Sequence, residues 1–224
     1  MGQLVLGMVP AIVGAALVPV WAIITLLLLQ GKGGLLKAAA FAAGAITLRL
    51  AQGVVFGYVL GTAASSDLGG GTGKVVPTLF LVLGVLMFVT AFRQWRKDDD
   101  PDGPPPKWMS KLSGLTAPKA FGAGALLVAI AAKQWVFTFA VLGMIGDAGL
   151  PQVTGATAFL IYVLTAQSFA LIPIIVYAVA PKQSEAVLKA SREWLQRHNR
   201  VIMIVISLVF GVLFLVKGAT GILG

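Results

Sequence analysis

Arg49, in Ala45-Ile-Thr-Leu-Arg-Leu-Ala-Gln-Gly, and Lys133, in Ile130-Ala-Ala-Lys-Gln-Trp-Val-Phe, each interrupt a long apolar stretch near its middle. A cation at mid-bilayer depth costs about 2.5–3.5 kcal/mol on insertion scales, and residues of this kind mark substrate or ion pathways. No Asp or Glu falls inside any apolar stretch; Asp67 and Asp147 stand at stretch ends. The two cations therefore have no internal carboxylate partner. Three answers are open to them: backbone carbonyls freed by a broken helix, a water-filled cavity, or an anionic substrate. Gln52 follows Arg49 by three residues, on the same helical face. Gln134 adjoins Lys133, and Gln167 lies in a further apolar stretch. Arg49, Lys133, Gln134, Gln52 and Gln167 thus make up a candidate substrate site, with the two cations converging on one cavity. The plainer alternative keeps both cations structural, tied to carbonyls.

Other chemistries find less support. Metal binding needs carboxylate or imidazole ligands within the membrane, and the lone histidine, His198, sits near an interface. Ser168 and Ser207 lie in apolar stretches, but no base accompanies either, so an enzyme is not expected. There is no cysteine, which excludes disulfides and thiolate chemistry. No cofactor is implied. The net charge of +9 fits membrane lipids as partners and gives no reason to expect nucleic acid.

These residues must be carried by membrane helices. The 224 residues are 58% hydrophobic and only 11% charged, against roughly 25% charged in a soluble domain. Mean hydropathy is +0.93. Six stretches reach the length of about 20 residues that a spanning helix needs: 4–29, 35–61, 75–94, 120–145, 153–179 and 201–223. The first lacks a basic flank and is too long for a cleaved signal, so it is expected to be retained. The connections at 30–37, 95–119 and 180–200, with Arg93 just before the second, hold 13 of the 17 basic residues. The positive-inside rule places them in the cytoplasm and both termini outside.

Asp98-Asp-Asp-Pro-Asp-Gly-Pro-Pro-Pro reads as an extended, solvated linker. It divides the chain into 1–95, a linker at 96–117, and 118–224. Three spans per half force the halves into opposite orientations. The expected fold is an all-α integral membrane protein of six helices in two inverted three-helix repeats. Residues 182–198, with Val187, Ala190 and Trp194 at helical spacing, read as a short amphipathic helix on the inner surface or as a solvated connector. Pro19 in span one and Pro173 in span five are expected helix breaks. Gly53, Gly57 and Gly61 form a small-residue stripe for close helix packing.

Two segments resemble a known family. Ala16-Leu-Val-Pro-Val-Trp-Ala-Ile-Ile-Thr-Leu-Leu-Leu-Leu with Lys37-Ala-Ala-Ala-Phe-Ala-Ala-Gly is similar to the first repeat of the glycolipid-addressing (GAP) or sulfolipid-addressing proteins, within the lysine-exporter superfamily. Ser113-Gly-Leu-Thr-Ala-Pro-Lys-Ala-Phe-Gly-Ala-Gly-Ala-Leu-Leu-Val-Ala-Ile-Ala-Ala-Lys-Gln-Trp resembles the second repeat. Pro19 matches the family's first-repeat proline, and Lys133 the lysine of its Asn-Pro-Lys break. Here Ala131-Ala132 replace Asn-Pro, which leaves open whether helix four is broken. The resemblance implies export of a solute or lipid across the bacterial cytoplasmic membrane, and the buried cations make an anionic lipid, glycolipid or small solute the expected cargo. Two roles stay open: a transporter, as a possible homo-oligomer, or an accessory protein to a larger lipid-export pump.

Overall fold

The computed structural model describes residues 2–65, 72–96, 112 and 114–223; side-chain surroundings are described for 6–57, 76–96, 112, 114–181 and 186–223. Most of the expected linker, together with Gly61, lies outside those described surroundings. The elements are α1 (Gly2–Ala16), α2 (Pro19–Leu29), α3 (Gly34–Ser65), α4 (Thr72–Trp95), α5 (Ala117–Ile130), α6 (Ala132–Asp147), α7 (Gln152–Ala166), α8 (Ser168–Val179) and α9 (Pro181–Leu223). Among the described residues there is no strand. This follows from the solvent. Lipid offers no hydrogen bonds, so each spanning segment must satisfy its own backbone.

Helices α3, α4 and α9 are each long and apolar enough to cross a membrane. The remaining six form bent pairs: α1–α2 by 51°, α5–α6 by 74° and α7–α8 by 69°. With each pair taken as one span there are six, and the chain is a multi-pass membrane protein.

The three bends have different causes. Before Pro19 the chain is extended, with Val18 at φ −115° and ψ 100°. A proline disfavours helix in the residue before it, and its own missing N–H is harmless at the first helical position. The second bend lies at Ala131, φ −84° and ψ 91°, with no proline or glycine beside it. Alanine is the best helix former, so local preference does not account for this break. A side chain beyond it helps hold the break open. The Trp135 indole N–H reaches back to the Ala129 carbonyl at 2.7 Å, occupying one of the acceptors that the end of α5 leaves open. The third bend is at Gln167, not at Pro173, which corrects the expectation. Pro173 sits inside α8. A proline ring crowds the carbonyl four residues earlier, so its disturbance falls on the preceding turn.

The expected amphipathic segment at 182–198 is likewise not a separate element. It is the first part of α9, one uninterrupted helix of 43 residues, about 65 Å long at 1.5 Å per residue. Leu188 is buried and Leu195 packs against the core, while Val187 and Trp194 face outward. The Arg192 guanidinium donates to the Gln30 side-chain oxygen at the end of α2. Arg200 donates to the Gln94 carbonyl at 3.1 Å and the Trp95 carbonyl at 2.6 Å, placing positive charge on the open C-terminus of α4. At the other end of α9, the Lys217 ammonium donates to the Gly7 carbonyl of α1 at 2.8 Å.

Glycines set the closest approaches. A β-carbon on Gly44 would lie 2.0 Å from the Phe121 carbonyl oxygen, and one on Gly124 would lie 2.0 Å from that of Phe41. Helices α3 and α5 therefore cross with their backbones in contact. Along α4 and α9, Gly84 meets Leu215, Gly211 meets Phe88 and Gly218 meets Leu81, so that pair runs antiparallel. Gly53 of the expected stripe packs on the Phe159 ring, where a β-carbon would fall 2.1 Å from the ring; at Gly57 the nearest atom is 3.8 Å away. A Gly124→Ala substitution is expected to destabilise the protein by about 3 kcal/mol through overpacking. Gly122→Ala, with nothing within 4 Å of the added carbon, is expected to be neutral or to stabilise by up to about 1 kcal/mol. Unfolding of both variants in mixed micelles checks this.

Candidate functional site

Arg49 lies near the middle of α3 and is 0% exposed. Arginine cannot be discharged in a protein, so its burial must be answered by acceptors. Two neutral ones face it. One guanidinium nitrogen donates to the Tyr162 hydroxyl of α7 at 2.9 Å. The other donates to the Gln134 side-chain oxygen of α6. The guanidinium carbon also stands 5.7 Å from the Tyr162 ring centre, within cation–π range.

Thr138, one turn after Gln134, donates its hydroxyl proton to the Gln134 main-chain carbonyl at 2.9 Å. The same hydroxyl lies 3.2 Å from that of Tyr162. With its own proton committed, Thr138 is left to accept from Tyr162, which in turn accepts from Arg49. The bonds then run in one direction, from Arg49 through Tyr162 and Thr138 to the Gln134 backbone. A chain of this kind spreads a buried charge over several dipoles. The packing that holds it is local: Gly53, one turn beyond Arg49, lets α3 close on Phe159, and the Phe159 and Tyr162 rings lie 5.6 Å apart.

Of the residues expected to form a substrate site, Arg49 and Gln134 are in direct contact. Lys133 points elsewhere. It lines a crevice beside the α1–α2 break, together with Gln134. Arg49 is not on that lining, so the two cations do not share one cavity as expected; Gln134 stands between them. The physical reason is that adjacent residues of a helix leave it about 100° apart, so Lys133 and Gln134 face different neighbours. Gln52 (3% exposed) and Gln167 (0%) are buried, and none of their side-chain amide atoms has a partner among the described residues. Neither is bonded to Arg49. Pro19 opens α2 at the crevice break, and Pro173 lies inside α8.

Tyr162, Thr138 and Ser207 were not in the expected set. Tyr162 is one of three tyrosines in the chain, and a tyrosine deep in an apolar span is a signal that its hydroxyl needs a partner. Thr138 could have been found from its spacing of four from Gln134. Ser207 carries no such mark. His198 stacks on Trp194 with ring centres 4.9 Å apart and contributes nothing to this region. Among the described residues no group of three or more His, Asp or Glu comes together. Tyr162→Phe keeps the ring and removes the acceptor of a charged donor, at an expected cost of about 2 kcal/mol. Unfolding in mixed micelles measures it, and Thr138→Val should cost less.

The family model described as "Sap, sulfolipid-1-addressing protein" matches residues 8–220. The peptidoglycolipid exporter Gap of Mycolicibacterium smegmatis (strain ATCC 700084 / mc(2)155) is 29% identical over 75 residues, which are 34% of this chain and 28% of that protein. No solved structure matches.

Proposed function

The chain belongs to the sulfolipid-1-addressing protein family, and from that premise we propose that it moves an anionic lipid or glycolipid across the bacterial cytoplasmic membrane. The observation that carries this reading is Lys133. It stands in the first turn of a half-helix, beside a bend of 74°, facing a crevice, with no hydrogen-bond or ion-pair partner among the described residues. A partnerless cation within a span is costly for a purely structural role and apt for holding a negatively charged group in passage. Arg49 acts behind it by orienting Gln134. The printed name of the Gap relative, a peptidoglycolipid exporter, points to the same class of cargo.

The reading includes two inverted triplets of spans and the wider lysine-exporter placement. Their support is that the first span of each half, α1–α2 and α5–α6, is bent in the middle, and that the third spans, α4 and α9, pair antiparallel. Both termini outside is supported by charge bias in the connections. It is also supported by the Lys217–Gly7 contact, which puts the two ends of the chain on one side, with the Arg192–Gln30 and Arg200–Trp95 contacts at the other ends of those helices.

A second reading has its own observation. No carboxylate lies within the six apolar stretches, so the chain has no evident group for proton coupling at mid-membrane depth. On that reading it assists a separate envelope-lipid pump.

In vesicles holding the protein alone and a labelled anionic lipid, Lys133→Gln is expected to slow transfer roughly tenfold, the effect of losing one charge-assisted contact. Lys133→Arg should retain most of it. Equal rates for wild type and Lys133→Gln would sink the transport reading. No transfer by any form, with copurification of a larger pump, would favour the accessory one.

A further inference from the structure

The crevice has a composition of its own. Leu17 and Val18, the residues of the α1–α2 break, form one wall; Lys133 and Gln134, at the start of α6, form another; Met203 and Ser207 of α9 close it. Two half-helices therefore begin at its edge, α2 after Val18 and α6 after Ala131, and neither N-terminus carries a side-chain cap. An uncapped helix N-terminus presents unbonded N–H groups and about half a positive charge. Pro19 withdraws one donor from α2, so α6 supplies more of them.

Side chains extend this positive, donor-rich character. Ser207 is 1% exposed, and its hydroxyl has no partner. Lys133 is likewise unpartnered. Gln134 has a fixed orientation: Arg49 can only donate, so it holds the amide oxygen and leaves the amide N–H groups directed away. No acidic residue stands on the crevice lining to compete. An unbonded hydroxyl enclosed in a span is destabilising, and this one stands on the crevice wall where a ligand could satisfy it.

We infer that this crevice is a binding site for a phosphate-like oxyanion, held by the Lys133 ammonium, the Ser207 hydroxyl and the Gln134 amide at the meeting of two half-helix N-termini. Ser207 and Gln134 are ligands, and Arg49 is a positioning residue that acts through Gln134. The crevice as it stands has a volume of about 10 Å³, too small for an oxyanion, so binding requires its lining side chains to move. Met203, and Met87 on α4, line it with unbranched chains that can withdraw as the anion enters. The inference rests on the lipid-moving reading only for where the oxyanion comes from, a lipid headgroup or free solution.

The test uses the full chain in neutral detergent micelles, with inorganic phosphate as the probe in a calorimetric titration. Lys133→Gln is expected to weaken binding roughly tenfold. Ser207→Ala should weaken it about fivefold while leaving thermal stability unchanged or higher, because an unpartnered buried hydroxyl is removed. A merely structural serine would not separate the two readouts. Lys133→Arg should bind within about threefold of wild type. A second arm compares discs of phosphatidylcholine with discs containing phosphatidic acid, reading protection against heating. Protection by phosphatidic acid that weakens in the same variants, with no phosphate titration, assigns the oxyanion to lipid headgroups; a phosphate titration with the expected losses shows that the free ion suffices. Indistinguishable wild type, Lys133→Gln and Ser207→Ala in both arms, or equal protection by phosphatidylcholine alone, overturns the site. If the binding losses appear while vesicle transfer is unaffected by Lys133→Gln, the site stands and the lipid-moving reading falls.

Discussion

Arg49 donates in two directions, to Tyr162 of α7 and to Gln134 of α6, from a position with no contact to solvent. A guanidinium enclosed in this way has to be met by acceptors from neighbouring helices, and much of the surrounding architecture serves that need. Gly53 brings α7 close enough for Tyr162 to reach. The break at Ala131 ends α5 and starts α6 at the depth where Gln134 faces α3. Thr138 completes the network by donating a hydrogen bond to the Gln134 main-chain carbonyl. All these acceptors are neutral, so the positive charge is spread over dipoles without being cancelled. The region keeps a net attraction for anions, and that attraction is felt at the next residue along, Lys133.

The sequence showed the broad design clearly because lipid imposes a simple rule. Long apolar stretches must be helices, and the six expected stretches coincide with three long helices and three bent pairs. The bend before Pro19 was legible for a local reason, since proline acts on its immediate neighbours. The bend at Ala131 was left open, because no proline or glycine marks it locally and the contacts seen there, Trp135 to an open carbonyl of α5 and Arg49 to Gln134, are made only in the folded chain. Pro173 marked the right span but the wrong turn. The continuity of α9 was hidden by a change of pattern: its first part is amphipathic and its second apolar, which in sequence looks like two elements.

The candidate site was partly legible for a related reason. Charged and amide side chains stand out against an apolar background, so Arg49, Lys133, Gln134, Gln52 and Gln167 could be singled out. Their grouping could not, since it depends on which face of each helix meets which neighbour. Hydroxyl residues do not stand out in the same way. Ser and Thr are common in membrane helices and often bond back to their own carbonyls, as Thr90, Thr157 and Thr220 do here. Only three-dimensional placement distinguishes Ser207, whose hydroxyl has no such bond.

Polar contacts tie α9 to other helices, among them Arg192 to the end of α2, Arg200 to the end of α4, and Lys217 to α1. Ser207 falls between the last two. Measured along the helix, it is about 15 Å from Lys217 and about 22 Å from Arg192. In mechanical terms α9 is a lever with the crevice placed toward its fulcrum. Wedging the rod aside by an ångström at Ser207, with Lys217 as the pivot, swings the Arg192 end by about two and a half, enough to pull a hydrogen bond apart. An occupant at Ser207 would act on α9 with that leverage, against the packing of Gly211 and Gly218 on α4.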